Sequence, residues 1–386
     1  MDQRTNQILF ALLRSAICGT QLNEKELNDY SSELLPNLIK ISVKHDVSHL
    51  LVWGIKRNKL LANENSNIEK HILKAVYRYE QLQYEYENLC DVLESSNIPF
   101  LPLKGAVIRK YYPEAWMRTS CDIDILVHEE DSERAKYILM NEYGYAYQEK
   151  SSHDISLFSP ENIHVELHYD LVEDGIANES SEVLKNVWNM ARIRDGSSFC
   201  YEMTDELFYF YHIAHMAKHF EIGGCGIKPF IDLWILEHIQ EADEKDRNAL
   251  LEQGQLLRFA KAARKLCRIW FENEEYDSVS KQMEDYILRG GVYGTIENRI
   301  MVQQQKKGGR LKYALSRIFI PYDAIKFHYP ILQKHRWLTP FMEVRRWSRL
   351  LFCGKTKMAI NEFKYNQNIS SDKADETKRF LTSIGL

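Results

Sequence analysis

Two aspartates stand two residues apart in Asp122-Ile-Asp-Ile-Leu-Val127, where acidic and β-branched side chains alternate. That alternation predicts a strand with Asp122 and Asp124 on one face and Ile123 and Ile125 on the other. An ionised carboxylate in a strand costs free energy unless something pairs with it. A divalent cation is the obvious partner. Strand residues i and i+2 lie roughly 6.6 Å apart and point the same way. Two carboxylates so placed can converge on a pair of Mg²⁺ ions about 4 Å apart, the arrangement of phosphoryl and nucleotidyl transfer. An edge strand with a wet face also yields Asp-x-Asp, so the pair needs company. His164-Val-Glu-Leu-His168 supplies it. Val165 and Leu167 face one way, and His164, Glu166 and His168 the other. Glu166 then serves as a third metal ligand or takes the proton from an attacking hydroxyl.

Cations precede the acids. The apolar run Phe100 to Leu103 is closed by Lys104-Gly105. A glycine between strand and helix lets backbone N–H groups approach a phosphate, and the helix N-terminus adds partial positive charge. Lys104, Arg109 and Arg118 are the side chains that would meet a triphosphate. A third group, His212, His215 and His219, is spaced three and four apart and shares one helix face. The spacing suits zinc, which leaves a metal-dependent hydrolase open. Without a His-Glu-x-x-His arrangement it does not read as a metalloprotease. The preferred role is substrate or phosphate contact from a helical lid, with His215 and His219 nearest the cleft and Asp232 orienting one of them.

These residues need elements to hold them. Residues 1–95 read as a helical, non-catalytic layer. Apolar residues recur at helical spacing from Ile8 to Ile17, from Leu34 to Val43 and from Ile68 to Leu93, and Ser48 is a candidate N-cap. Ser95 to Pro99 is a turn-rich hinge. Residues 96–180 read as strand, helix-length segment, strand, the helix Asp131–Tyr143, and then strands at Tyr145–Gln148, Ile155–Phe158 and Ile163–Leu167. That is a sheet of about five strands in an α+β (mixed α/β) fold. Residues 181–305 turn helical again, and Gln303 to Arg310 read as a linker. The tail, residues 306–386, is locally basic from Lys306 to Lys357. It is read first as a solvated helical face, with a membrane-surface or anionic-partner role as the other reading.

Composition limits the partners. The 386 residues carry a formal charge of −5, with 45% hydrophobic and 27% charged residues, which offers no general grip on nucleic acid. Seven scattered cysteines without Cys-x-x-Cys predict free thiols in a reducing cytoplasm. The N-terminus lacks signal-peptide character, and no apolar run approaches the ~18 residues that span a bilayer.

The order Leu103-Lys104-Gly105, Tyr112-Pro113, Arg118, Asp122-Ile-Asp-Ile-Leu-Val127, Val165-Glu-Leu-His168 resembles the uncharacterised nucleotidyltransferase family of the DNA polymerase beta-like superfamily. His45-Asp-Val with Leu50-Leu51 resembles that family's N-terminal helical region. His212, His215 and His219 with Lys228 and Asp232 resemble its C-terminal helical segment. The resemblance implies a small palm sheet flanked by helices, with Asp122, Asp124 and Glu166 as a triad for two Mg²⁺ ions and Lys104-Gly105 as the phosphate turn. Lys104, Gly105, Arg109, Arg118, His168, His215 and His219 would line the nucleotide site. It further implies a nucleoside triphosphate donor, such as ATP, and an acceptor hydroxyl on a sugar, small metabolite or protein. Lys104-Gly105-Ala106 departs from the superfamily's Gly-Ser or Gly-Gly turn. That departure keeps a nucleotide-binding module without turnover as an alternative.

Overall fold

The computed structural model describes residues 3–60, 66–172, 179–239, 243–322, 325–326, 329–352, 362, 364–367, 369 and 371–386. Five helices come first: α1 (Gln3–Cys18), α2 (Glu24–Asp29), α3 (Leu35–Lys44), α4 (Ser48–Arg57) and α5 (Ser66–Ser95). Then follow β1 (Phe100–Pro102), α6 (Lys104–Ile108), β2 (Asp122–Val127), α7 (Glu129–Glu142), β3 (Ala146–Lys150), β4 (Asp154–Phe158) and β5 (His164–His168). These strands form one mixed sheet in the order β1-β2-β5-β4-β3, in which β2 and β5 are parallel neighbours and the other pairs antiparallel. An α+β fold with a five-stranded sheet is what the alternating patterns required.

The sheet has two unlike faces because its strands alternate. Ile123, Ile125, Val127, Val165 and Leu167 are buried with Leu82, Leu89 and Val92 of α5 and Ala135 and Leu139 of α7 in one apolar core. The Tyr and Leu stripe on α5 is therefore structural, as its spacing suggested. The opposite face carries Asp122, Asp124, Glu166 and His168. The later helices are α8 (Glu179–Lys185), α9 (Val187–Met190), α10 (Asp205–Ile222), α11 (Lys228–Ile239), α12 (Glu244–Gln253), α13 (Leu257–Glu272) and α14 (Ser278–Arg289), whose apolar residues share one cluster with Leu101 and Leu126 of the sheet. A second core joins α1 and α4 to α10, α11, α13 and α14, so helices from both ends of the chain share one apolar interior.

Several local expectations are corrected. Ser48 does not cap α4: the N-cap position is Val47, and the Ser48 hydroxyl hydrogen-bonds His71 Nδ1 at 2.9 Å. The stretch between Gly105 and Asp122 is not one helix. It is the five-residue α6 and two 3₁₀ turns, because Pro113 interrupts the pattern. Past residue 180 the chain is not purely helical. Ala191–Ile193 (β6) and Tyr201–Met203 (β7) form a hairpin around Asp195-Gly196, a turn dipeptide at which the strands were overlooked. Residues 303–307 are not linker but the end of α15 (Ile296–Lys307), which Thr295 caps; only Gly308 and Gly309, both at positive φ, make the turn. Among the described residues Cys18, Cys90, Cys121, Cys200, Cys225 and Cys267 are free.

Helix α4 crosses α1 at Gly54, where a Cβ would stand 2.2 Å from the Leu12 carbonyl oxygen. No side-chain adjustment relieves a backbone contact of that kind. Gly54→Ala is expected to lower stability by roughly 1–3 kcal/mol, the usual cost of overpacking. Urea denaturation measures it, and an unchanged midpoint would refute the close approach.

Candidate active site

The parallel register between β2 and β5 sets Asp122 beside His164, Asp124 beside Glu166 and Leu126 beside His168. One polar row thereby forms across two strands. Two groups of ligand atoms, Asp122–His164–Glu166 and Asp124–Glu166–His168, each lie within 4.8 Å of one another. His164 is held by Ser156, whose hydroxyl is 2.7 Å from Nε2. His168 Nε2 lies 2.9 Å from Asp124 Oδ1 and 3.3 Å from Glu166 Oε2, so one imidazole spans both carboxylates.

Lys104 completes the row. Its backbone sits at φ +44°, a left-handed conformation rare outside glycine, at the first position of α6. Its ammonium reaches Asp124 Oδ1 at 2.7 Å. The two aspartates differ accordingly. Burial would raise the Asp124 pKa, but the Lys104 charge and the His168 hydrogen bond outweigh it and hold the carboxyl well below the usual range. Asp122 is pushed up, first by burial and then by the Asp124 charge, with Glu166 adding to it. Like charges are thus crowded on this face beyond what Lys104 neutralises, a situation that a bound cation relieves. Carboxylate oxygens suit a hard ion such as Mg²⁺, and the neighbouring imidazoles admit Mn²⁺ as well. The residues present fit such ions.

The other expected residues are distributed unevenly. Gly105 is buried, and a Cβ there would come within 3.3 Å of Ser120, so its smallness serves packing beneath the turn. Arg109 is buried; its guanidinium donates to the Gly105 carbonyl at 2.8 Å and to Ser120 Oγ at 3.1 Å. It braces the Lys104 turn from below. Arg118 is turned away from the carboxylate row, donating to both oxygens of the buried Asp232 at 2.8 and 3.0 Å. Tyr112 donates to the same carboxylate at 2.6 Å. Asp232 therefore pairs with Arg118 and Tyr112 by hydrogen bonds, and of the stripe His212 is the histidine whose charge acts on it. Thr119, next to Arg118, donates to Asp46 at 2.8 Å, and Lys228 hydrogen-bonds Asp46 as well as Thr119.

The histidine stripe does not gather into a ligand set. His212 Nε2 bonds the Pro229 carbonyl at 2.9 Å, and His215 and His219 approach each other at 3.3 Å. Among the described residues neither group of potential ligands includes them. His215 does face the site electrostatically: burial first, then the Lys104 charge, push its pKa down, so the ring is neutral. One turn earlier on α10, the Tyr211 hydroxyl is held un-ionised by burial; the Lys104 charge opposes this, and Asp124 and Glu166 reinforce it. Tyr293, in the loop after α14, is 77% exposed, and its hydroxyl pKa is raised first by partial burial and then by the Asp122 carboxylate. Sequence reading missed both tyrosines. Tyr211 was legible as the i−4 neighbour of His215, whereas Tyr293 had only its place among glycines, Gly290-Gly291-Val292-Tyr293-Gly294.

A strand pair bearing three carboxylates, entered from a Lys-Gly turn and roofed by helices, is the palm of a nucleotidyltransferase fold. The model of the uncharacterised nucleotidyltransferase family matches residues 32–272, and the chain belongs to that family. No curated protein and no solved structure matches it.

Two outcomes test the charge balance. Arg118→Met leaves Asp232 buried without its cation and is expected to cost roughly 3–5 kcal/mol in urea denaturation at neutral pH. The Asp232 carboxyl is buried, yet the Arg118 charge depresses its pKa. The pair's contribution therefore persists above the ordinary Asp range and is lost only as pH falls through the lowered value. Asp122→Asn has the opposite sign. A carboxyl whose folded pKa is raised penalises the fold once ionised, so the amide should stabilise the metal-free protein by on the order of 1 kcal/mol. Thermal unfolding in EDTA at neutral pH reads it, and a lower midpoint would contradict the crowding.

Proposed function

We propose that the chain moves a nucleoside monophosphate from a nucleoside triphosphate to an acceptor hydroxyl on a sugar, small metabolite or protein. The observation that carries this reading is the single polar row on β2 and β5, with Asp122, Asp124 and Glu166 side by side and Lys104 on the turn beside them. Asp122, Asp124 and Glu166 would hold two Mg²⁺ ions, which supply charge stabilisation for the attacking and leaving oxygens when bound. Glu166 takes the ligand role over that of base, because it belongs to both groups of ligand atoms. His168 holds the carboxylates of Asp124 and Glu166 in fixed orientation through one nitrogen. Lys104 exchanges part of its contact with Asp124 for the triphosphate oxygens, and Arg109 keeps the turn from yielding. Neutral His215 and Tyr211 border the same face from α10 and offer hydrogen bonds without adding charge. The acceptor hydroxyl attacks the α-phosphorus and gives up its proton to solvent, the bond to the bridging oxygen breaks, and pyrophosphate leaves with its electron pair.

A second reading, a module that binds nucleotide without turnover, is favoured by Gly105-Ala106 at the turn and by the hold of Lys104 and His168 on Asp124. One experiment separates the two. Mg²⁺-dependent pyrophosphate release is followed for each of the four nucleoside triphosphates with cell extract as acceptor pool, for the wild type and for Asp122→Asn/Asp124→Asn. Release by the wild type that drops by at least about 10³-fold in the double variant is the expected result, as loss of transition-state charge stabilisation commonly costs that much. Silence with metal-dependent nucleotide binding by calorimetry would establish the second reading, and silence in both assays would overturn the two together.

A further inference from the structure

The basic tail departs from a solvated helical face. α16 (Arg310–Ile318) exposes Leu311 and Leu315 one turn apart, and Phe319 continues the same stripe. The helix Thr339–Phe352 exposes Phe341 and Val344, preceded by Trp337. Leu311, Phe319, Trp337, Phe341 and Val344 are 63–74% exposed. Single exposed apolar residues are ordinary, but stripes on successive helices are not. The two helices form one unit: Arg346 Nη2 and Trp347 Nε1 donate to the Ile318 carbonyl at 2.6 and 3.0 Å, and Glu343 accepts from the Ile320 N–H at 2.7 Å. Glu343 and Arg346 are consumed in this joint, while Arg345, Val344 and Arg349 remain outside.

Charge runs with the exposed stripes. Residues 306–352 hold eleven Lys and Arg against two acids, a local +9 in a chain whose formal charge is −5. The remainder of the molecule carries a formal −14 (−5 less +9), so the net attraction of an anionic partner is to this segment.

We propose that residues 310–319 and 337–349 dock the protein on an anionic phospholipid surface, with the apolar stripes in the boundary between headgroups and acyl chains and the arginines at the lipid phosphates. The aliphatic members decide against other occupants. Nucleic acid would engage the arginines and stack on Trp337 or Phe341, but it gives Leu311, Leu315 and Val344 nothing to bury against. A second copy of the chain would bring like charges face to face. Among the described residues no helix is long and apolar enough to cross a membrane, so these helices lie on the bilayer.

The test is co-sedimentation of the full chain with phosphatidylcholine vesicles, with and without phosphatidylglycerol. The proposal expects binding that needs phosphatidylglycerol and weakens with salt. Phe341→Asp/Val344→Asp and, separately, Arg345→Ala/Arg349→Ala should each weaken it by roughly tenfold or more. A blue shift in tryptophan emission on binding should shrink in Trp337→Phe. Circular dichroism and unchanged thermal unfolding confirm that the variants fold, which the exposure of the altered side chains predicts. Absence of binding to either vesicle overturns the proposal. So does binding that the apolar variant leaves intact, or duplex DNA displacing the vesicles from the arginines alone.

Discussion

Asp124 is buried against Lys104 and His168, and this pairing governs how the rest of the palm is built. A carboxylate on a central strand can stay ionised only if cations or donors reach it from outside the sheet. Lys104 reaches it because the chain leaves β1 through a left-handed residue, a conformation that puts the ammonium over β2 instead of out in solvent. Such a backbone costs of order 1–3 kcal/mol and persists only where its surroundings impose it. Arg109, hydrogen-bonded to the Gly105 carbonyl, is part of that imposition. The arrangement leaves Asp122 and Glu166 without a comparable counter-charge. The face is therefore built with a deficit of positive charge on the side where a metal–nucleotide complex would arrive.

A second set of charges does a different task. Asp46 just after α3, Arg118 and Thr119 ahead of β2, and Lys228 and Asp232 on α11 belong to three separate stretches of the chain, yet they form one partly buried lattice around the buried Asp232. Hydrogen bonds of fixed geometry position elements more narrowly than apolar contact does. This lattice stands at the junction of the sheet with both helical regions, and the connection it braces, from Arg118 to Asp122, leads directly into the carboxylate strand. It ties the start of β2 to α11 and to the turn after α3.

What could be read from sequence divides along physical lines. Alternation in Asp122–Val127 and His164–His168 reports which face each side chain takes, because a strand's period leaves no choice. The carboxylate row was legible for that reason, and the model of the family then matched residues 32–272, which contain the whole stretch that carries it. Arg118 and Asp232 were legible as chemistry-bearing residues but not as partners, since a pair 114 positions apart is made by tertiary packing alone. The same holds for Arg109: a basic residue after a phosphate-type turn reads alike whether it faces a ligand or braces the turn. The β6–β7 hairpin was lost because three-residue strands carry too little periodicity to register. Gln303–Lys307 was mistaken for linker because polar composition says nothing of helix when the N-cap, Thr295, lies well upstream.

The site and the tail answer to opposite electrostatics. Around Asp122 and Glu166 the field is negative, so an anionic nucleotide approaches only with its cation or after Lys104 has been freed to meet it. Residues 306–352 carry a net positive charge, which attracts an anion without the help of a metal. On the docking proposal, the partner that matches this charge is an extended anionic surface. A charged bilayer is such a surface: it presents many phosphates at once and buries the apolar stripes that a small anion leaves wet.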